Sequence, residues 1–303
     1  ETLQYLKQSY GELAWLINAH AANQPDRIAL DDGEERLTWG ETAALVNRIA
    51  AQLQAEGLQK GQAVSILGTT TIRYALVYLG AIAAGGCAAP LTTSATPQQL
   101  AAMMTDSGAG HLFIDHIKRA ELADSGVALP TLKHVMMDAA NNSDGAPFLF
   151  DWMADEGVTS NEVDTGPNDP YNIIYSSGTT GTPKGIVHSR QMRWYQMAVG
   201  EESGLGLTGQ VTLLSTPMYS NTTLGIFVAT MAYGGTAVVM RKFDCARWLE
   251  LAQQHRATHT ILVPVQYQRL MDFPQFDEYD LSSMALKYCT SAPFAAELKA
   301  EVV

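Results

Sequence analysis

Short aliphatic and β-branched runs alternate along the chain with longer stretches in which apolar residues return every three or four positions. That is the order of a mostly parallel α/β sheet. Residues 28–30 and 35–37 flank Asp32-Gly33, so the spacing predicts a small hairpin. Thr38 and Glu41 stand at capping-box spacing ahead of Leu45, Ile49 and Leu53, which share one face of a helix that Gly57 ends. Residues 64–67 read as a buried strand, 70–85 as a helix and 87–89 as another strand, after which Thr96, Pro97 and Gln99 cap the next helix.

Between residues 138 and 170 the periodicity fades into two loops, at 140–145 and 165–168, and a boundary between two α/β lobes is expected there, at 1–168 and 169–303. A second alternating series follows. It places strands at 171–175, 211–215, 236–240, 260–263 and 286–289, and a helix at 244–255. The alternation stops inside the first turns of a helix after Pro293, so the reading is of a truncated α/β chain.

Composition narrows the partners. With 303 residues, 47% of them hydrophobic, the chain can bury one large or two ordinary cores. Nineteen Lys and Arg against 31 Asp and Glu give a formal charge of -12, and no basic cluster offers a footing for nucleic acid or an anionic membrane. Cys87, Cys245 and Cys289 form no CxxC pair, which argues against a disulfide framework or zinc site and fits a reducing cytoplasm. Residues 1–10 lack the order of a secretory signal. Two long uncharged stretches, 74–105 and 211–240, are broken by Gly85, Gly86 and Pro90 and by Pro217, Gly234 and Gly235, so neither is a membrane span. A homodimer is left open.

Candidate chemistry concentrates in residues 176–185, where ten positions hold three glycines, five hydroxyls and one lysine. Gly178, Gly181 and Gly185 let backbone N–H groups converge on an anion. Ser176, Ser177, Thr179, Thr180 and Thr182 supply hydroxyl donors, and Lys184 a movable charge. The pattern suits a nucleotide triphosphate such as ATP. It is not a Walker loop: Pro183 precedes Lys184 and Gly185 follows it, and residues 186–188 read as extended, with Ser189 as the N-cap of the next helix. A GxGxxG match at 204–209 follows a helix and precedes a strand, the reverse of a dinucleotide site, and reads as a helix end and turn.

Residues 175–185 resemble the phosphate loop of the adenylate-forming superfamily, which contains AMP-forming acyl-CoA synthetases, adenylation domains of peptide synthetases and beetle luciferases. Weaker features recur in the family's order. Pro25-Asp26, Leu37-Thr38-Trp39 and Gly61 resemble its opening, and Leu79-Gly80-Ala81, Ala84-Gly85-Gly86 and Ala89-Pro90-Leu91 its next block. Ser291-Ala292-Pro293 resembles its small-residue turn beside the nucleotide and acyl sites. The resemblance runs from about Leu13 to Val303, and implies the layered, doubly wound, mostly parallel sheets of an acyl-CoA synthetase N-terminal domain. It places a mobile C-terminal domain outside this chain.

The implied reaction has two steps. A carboxylic acid attacks the α-phosphate of ATP, releasing pyrophosphate, and a thiol, usually of coenzyme A, then displaces AMP. Lys184 and Thr180 are the implied catalytic contacts, Thr180 with magnesium also, while the rest of the loop and Ser291, Ala292 and Pro293 hold the nucleotide. Residues 215–222 resemble the segment entering the acyl pocket, but Ser220 stands where amino-acid-activating relatives carry Asp and many acyl- and aryl-CoA ligases carry His. A serine cannot offset the desolvation of a substrate ammonium, so amino acids are disfavoured. Tyr219, Thr223, Phe227, Val263, Pro264 and Tyr267 are candidate pocket residues, about half of which are expected to touch substrate because apolar residues at helical spacing are usually core. His188 is either a polar strand end or a residue beside the loop, and His255 and His259 straddle a helix end and make a poor metal pair. Cys289 is expected to be a buried strand cysteine. A nucleotide-binding relative without turnover and a domain that loads a carrier protein remain the competing classes.

Overall fold

The computed structural model describes residues 1–138, 145–176, 184–202 and 208–302. The chain passes through α1 (Thr2–Leu6), α2 (Leu13–Asn23), β1 (Ile28–Asp31), β2 (Arg36–Thr38), α3 (Trp39–Ala55), β3 (Ala63–Leu67), α4 (Ile72–Ala83), β4 (Cys87–Pro90) and α5 (Pro97–Ser107). Next come β5 (His111–Ile114), α6 (His116–Ser125), β6 (Lys133–Met136), α7 (Leu149–Trp152), β7 (Pro170–Ser176), β8 (Lys184–Ser189) and α8 (Arg190–Glu202). The last part holds β9 (Val211–Leu214), α9 (Asn221–Ala232), β10 (Thr236–Val239), α10 (Cys245–Gln254), β11 (His259–Leu262), α11 (Pro264–Met271), β12 (Leu286–Cys289) and α12 (Ala296–Val302).

Among the described residues the strands form two six-stranded sheets, β12-β11-β9-β10-β1-β2 and β6-β5-β3-β4-β7-β8. Both are parallel except at one edge, where β2 runs antiparallel to β1 and β8 antiparallel to β7. Residues 1–168 and residues 169–302 each contribute to both sheets: β1 and β2 join β9 to β12, whereas β7 and β8 join β3 to β6.

Period-two alternation explains the layering. Val64 and Ile66 of β3 point into the largest core, and Ala63 and Leu67 point to the opposite face. In the other sheet Leu214, Ala237 and Ile261 join that same large core, and Leu213, Val238 and Leu262 turn away. The large core therefore packs α2, α3, α4 and α9 between the sheets. A second core covers one outer face with residues of α5 and α6, and a third covers the other with α10, α11 and α12. Helices α4 and α9 are apolar on nearly all sides because they are enclosed on nearly all sides. Where α3 crosses α4, a Cβ on Gly80 would lie 2.5 Å from Ile49 Cγ2, so only glycine permits that approach.

The local signals act as the residue types require. Thr38 Oγ1 accepts from Glu41 N at 3.2 Å while Glu41 Oε2 accepts from Thr38 N at 2.8 Å, and Thr96 with Gln99 repeats the motif behind Pro97. Gly57 follows the end of α3 at φ 87°. Among the described residues no helix is long and apolar enough to cross a membrane.

Candidate nucleotide and acid site

The candidate residues gather at the carboxyl ends of the parallel strands, where open α/β sheets bind ligands. In the β7–β8 ladder Tyr175 pairs with Gly185 and Ser176 with Lys184, which puts Ser176 and Lys184 side by side and exposed at the connected end of a hairpin. The segment that joins them, containing Ser177, Gly178, Thr179, Thr180, Gly181 and Thr182, lies outside the described residues. Gly185 is a packing requirement as well, because its Cβ would stand 3.0 Å from Ile173 Cγ2 and 3.1 Å from Asp106 Oδ2. The Tyr175 hydroxyl donates to Met103 O at 2.9 Å and Asp106 Oδ2 at 2.8 Å, bracing the hairpin against α5. Burial and the Asp106 carboxylate push that phenol well above its ordinary value.

Between β9 and α9 the chain turns through Pro217, Met218 and Tyr219. Met218 N donates to Thr70 Oγ1 at 3.1 Å, and Ser220 N to Pro217 O at 3.0 Å. Ser220 is the N-cap of α9, its hydroxyl accepting from Thr222 N at 3.3 Å. Thr222 in turn shares a 2.8 Å hydrogen bond with Ser291 Oγ, and Ser291, Ala292 and Pro293 are exposed. The helix start and the small-residue turn thus form one rim.

Of the six candidate pocket residues, Tyr219, Val263 and Pro264 are half-buried and keep an open side. Val263 is the N-cap of α11 rather than part of the preceding strand. Thr223, Phe227 and Tyr267 are enclosed. Thr223 Oγ1 lies 2.6 Å from Thr216 Oγ1, and Phe227 packs edge-on to Tyr78 in the large core. Tyr267 belongs to the outer core, where its hydroxyl donates to Tyr288 O at 2.7 Å and its ring stacks on Phe294.

His188 points inward from β8, 7% exposed. Its Nδ1 accepts from Arg193 Nη2 at 2.9 Å, which assigns the ring proton to Nε2. Burial, helped by the Arg193 charge, lowers this imidazole to about 4. Arg193 also donates from Nε to Asn172 Oδ1 at 2.8 Å, from Nη1 to Gln196 Oε1 at 2.9 Å and from Nη2 to Asn221 Oδ1 at 2.7 Å. Sequence reasoning missed Arg193 and Asn172. The available signals were an asparagine inside an apolar strand and an arginine adjoining Trp194 on a helix.

His255 Nε2 is 3.8 Å from Asp31 Oδ2, and His259 Nδ1 is 2.7 Å from Thr258 Oγ1. Among the described residues no group of three or more His, Cys, Asp or Glu could hold a metal ion. Cys289 is half-buried rather than buried because β12 is an edge strand, and burial still raises its thiol.

Two mostly parallel sheets around a shared helical core define the N-terminal domain of the adenylate-forming acyl-CoA synthetases. The chain belongs to the AMP-binding enzyme family, whose profile matches residues 17–303. It is 30% identical over 285 residues to 4-coumarate–CoA ligase 5 of Oryza sativa subsp. japonica, covering 92% of this chain and 52% of that protein. Over 287 residues it is 28% identical to feruloyl-CoA synthase of an Amycolatopsis species, covering 94% of this chain and 55% of the relative. The chain therefore spans about half the length of the curated relatives it matches. Its fold is similar to the inhibitor-bound N-terminal domain of FACL13 from Mycobacterium tuberculosis, at a TM-score of 0.81 and 24% identity over 95% of this chain and 71% of that one. The anthranilate CoA ligase AuaEII in complex with anthranoyl-AMP gives 0.84 and 19%, over 96% and 56%.

Proposed function

We propose that the full-length protein activates a carboxylic acid with ATP to an acyl-adenylate and transfers the acyl group to coenzyme A, releasing AMP and pyrophosphate. The observation that carries the reading is the pairing of Ser176 with Lys184 at the connected end of a hairpin, with a Ser-Gly-Thr-Thr-Gly-Thr-Pro connection between them.

The acid is already ionised at neutral pH, so its attack on the α-phosphate needs alignment and charge neutralisation rather than a general base. Lys184 supplies positive charge toward the β- and γ-phosphates, and Ser176, Ser177, Thr179 and Thr182 with the N–H groups of Gly178, Gly181 and Gly185 supply hydrogen bonds. Magnesium enters as part of the MgATP substrate, with Thr180 its proposed protein contact; the described residues offer no carboxylate cluster of their own for it. Ser291, Ala292 and Pro293 border the nucleotide, next to Ser220 at the acid's entrance.

Tyr219, Val263 and Pro264 are the proposed open wall of the acid pocket, with Thr223 and Tyr267 supporting it from within. No carboxylate stands at Ser220 to pair with a substrate ammonium, which favours simple acids over amino acids. The 4-coumarate, feruloyl and indoleacetate ligases among the relatives make an aromatic acid the first candidate. A reducing, cytoplasmic location suits the three unpaired cysteines.

ATP–pyrophosphate exchange by the full-length protein, with 4-coumarate, ferulate, hexanoate, palmitate and the amino acids as alternatives, tests the reading. Exchange should require an acid and be strongest with an aromatic or fatty one. ATP binding without exchange on any acid would make the protein a nucleotide-binding relative without turnover.

A further inference from the structure

Arg193 lies on α8 with its side chain wholly enclosed, at 0% exposure. A buried guanidinium normally faces a carboxylate, because removing an ion from water costs several kcal/mol that an opposite charge then offsets. Here every hydrogen-bonded partner is neutral: Asn172 on β7, His188 on β8, Gln196 on the same helix and Asn221 at the first position of α9. His188 stays neutral because burial and the arginine itself disfavour its proton. Among the described residues no carboxylate pairs with Arg193. The group therefore stands as a charge solvated by fixed dipoles drawn from four elements, and a planar fork of five donors is the one protein side chain able to reach so many acceptors in one plane.

Those elements are not an arbitrary set. Strand β7 ends at Ser176 and β8 begins at Lys184, while α9 begins at Asn221 behind its cap Ser220 and meets Ser291 through Thr222. We propose that Arg193 is a positioning residue, locking the start of α9 to the hairpin so that engagement of MgATP at Lys184 is transmitted to the entrance of the acid pocket. The inference rests on the hairpin being the phosphate-binding element. Transmission needs a rigid path, and here it runs along the β7–β8 ladder from the Ser176–Lys184 pair to the Asn172–His188 pair and then through Nη2, which bridges His188 Nδ1 at 2.9 Å and Asn221 Oδ1 at 2.7 Å. Binding at one end then biases the other through a shared guanidinium, a coupling between two sites in the thermodynamic sense.

Asn221 offers a clean cut. It is exposed and opens a helix, so Asn221→Ala removes the α9 end of the bridge while leaving the bonds to Asn172 and His188 in place. Asn221→Asp keeps an acceptor for the guanidinium. Amide hydrogen exchange of the full-length protein is followed with and without MgATP, with thermal melts confirming that each variant is folded. In the wild type MgATP should slow exchange about tenfold both at residues 184–189 and at residues 221–227. In Asn221→Ala the protection at 184–189 should persist and that at 221–227 vanish, and Asn221→Asp should restore both. Protection of 221–227 that survives Asn221→Ala, or that is absent from a wild type protected at 184–189, overturns the coupling. Absence of protection at 184–189 in the wild type overturns the phosphate-binding reading itself, a different and recognisable result.

Discussion

Thr222 Oγ1 and Ser291 Oγ lie 2.8 Å apart, joining the first turn of α9 to the turn that follows β12. The two residues come from opposite sides of β11 in the same sheet, so their contact fixes the rim of the candidate site across three strand ends. Ser291 takes a left-handed backbone, φ 72°, to make it. A non-glycine residue there is costly and points to a geometry that the surrounding structure imposes.

That backbone gives the first prediction. Ser291→Gly and Ser291→Ala both delete the hydroxyl, but only alanine keeps a Cβ in the left-handed region, so the glycine variant should be more stable by about 1 kcal/mol. Equal urea midpoints for the two variants would contradict the positive φ.

Lys184→Ala should leave stability within about 0.5 kcal/mol of wild type, since the side chain is exposed at a strand end. Loss of a charge-assisted contact to phosphate, on the order of 1.5–3 kcal/mol, should weaken ATP binding by roughly 10- to 150-fold. Calorimetry with MgATP measures the second effect and circular dichroism the first. Wild-type affinity in the variant would remove Lys184 from the site.

Ser220→Asp is a test of charge that spares the fold, because aspartate caps a helix as well as serine does. A carboxylate at the entrance should repel the substrate carboxylate and lower pyrophosphate exchange on simple acids about tenfold or more. Unaltered exchange, or a wild type that prefers amino acids, would show that Ser220 does not face the acid.

His188 sets an acid limit on stability. Its imidazole stays neutral in the fold down to about 4, whereas the unfolded chain takes up a proton near 6.5, so between those values the unfolded state binds more protons. Stability should therefore fall as pH drops from about 6.5 to about 4, and this part should disappear in His188→Asn. His20 and His255, also lowered by burial, act alike in both proteins and cancel in the difference. Urea midpoints measured from pH 7 to pH 4 should diverge; parallel curves would mean that His188 is protonated in the native state.

The elements that proved legible are those whose cause is local. Thr38 with Glu41 and Thr96 with Gln99 announce helix starts, and the aliphatic runs of β3 and β11 announce buried strands. The hairpin of β1 with β2 was legible from Asp32-Gly33, but the pairing of β1 with β10 was not, because pairing between residues some 200 positions apart leaves no trace in a periodicity of two or 3.6. Val263 reads as a strand end since its backbone is extended, φ -97° and ψ 158°, yet it caps a helix. Arg193 escaped notice for a plainer reason: an arginine is presumed solvated unless a carboxylate appears beside it, and here its partners are amides and an imidazole.

Strand exchange between the two sheets bears on how the chain is made. Thr236 Oγ1 donates to Ile28 O at 2.6 Å, and β1 lies parallel to β10 across those 208 positions. At a synthesis rate of about 5–20 residues per second, β1 leaves the ribosome roughly 10–40 s before its parallel neighbour exists. During that interval β1, with its apolar Ala29 and Leu30, has only β2 beside it, and loop closure over such a distance is slow even once β10 has emerged. The nascent chain thus carries an unpaired strand edge while some 200 further residues are made, an interval in which that edge is open to mispairing and to the chaperones that shield such edges.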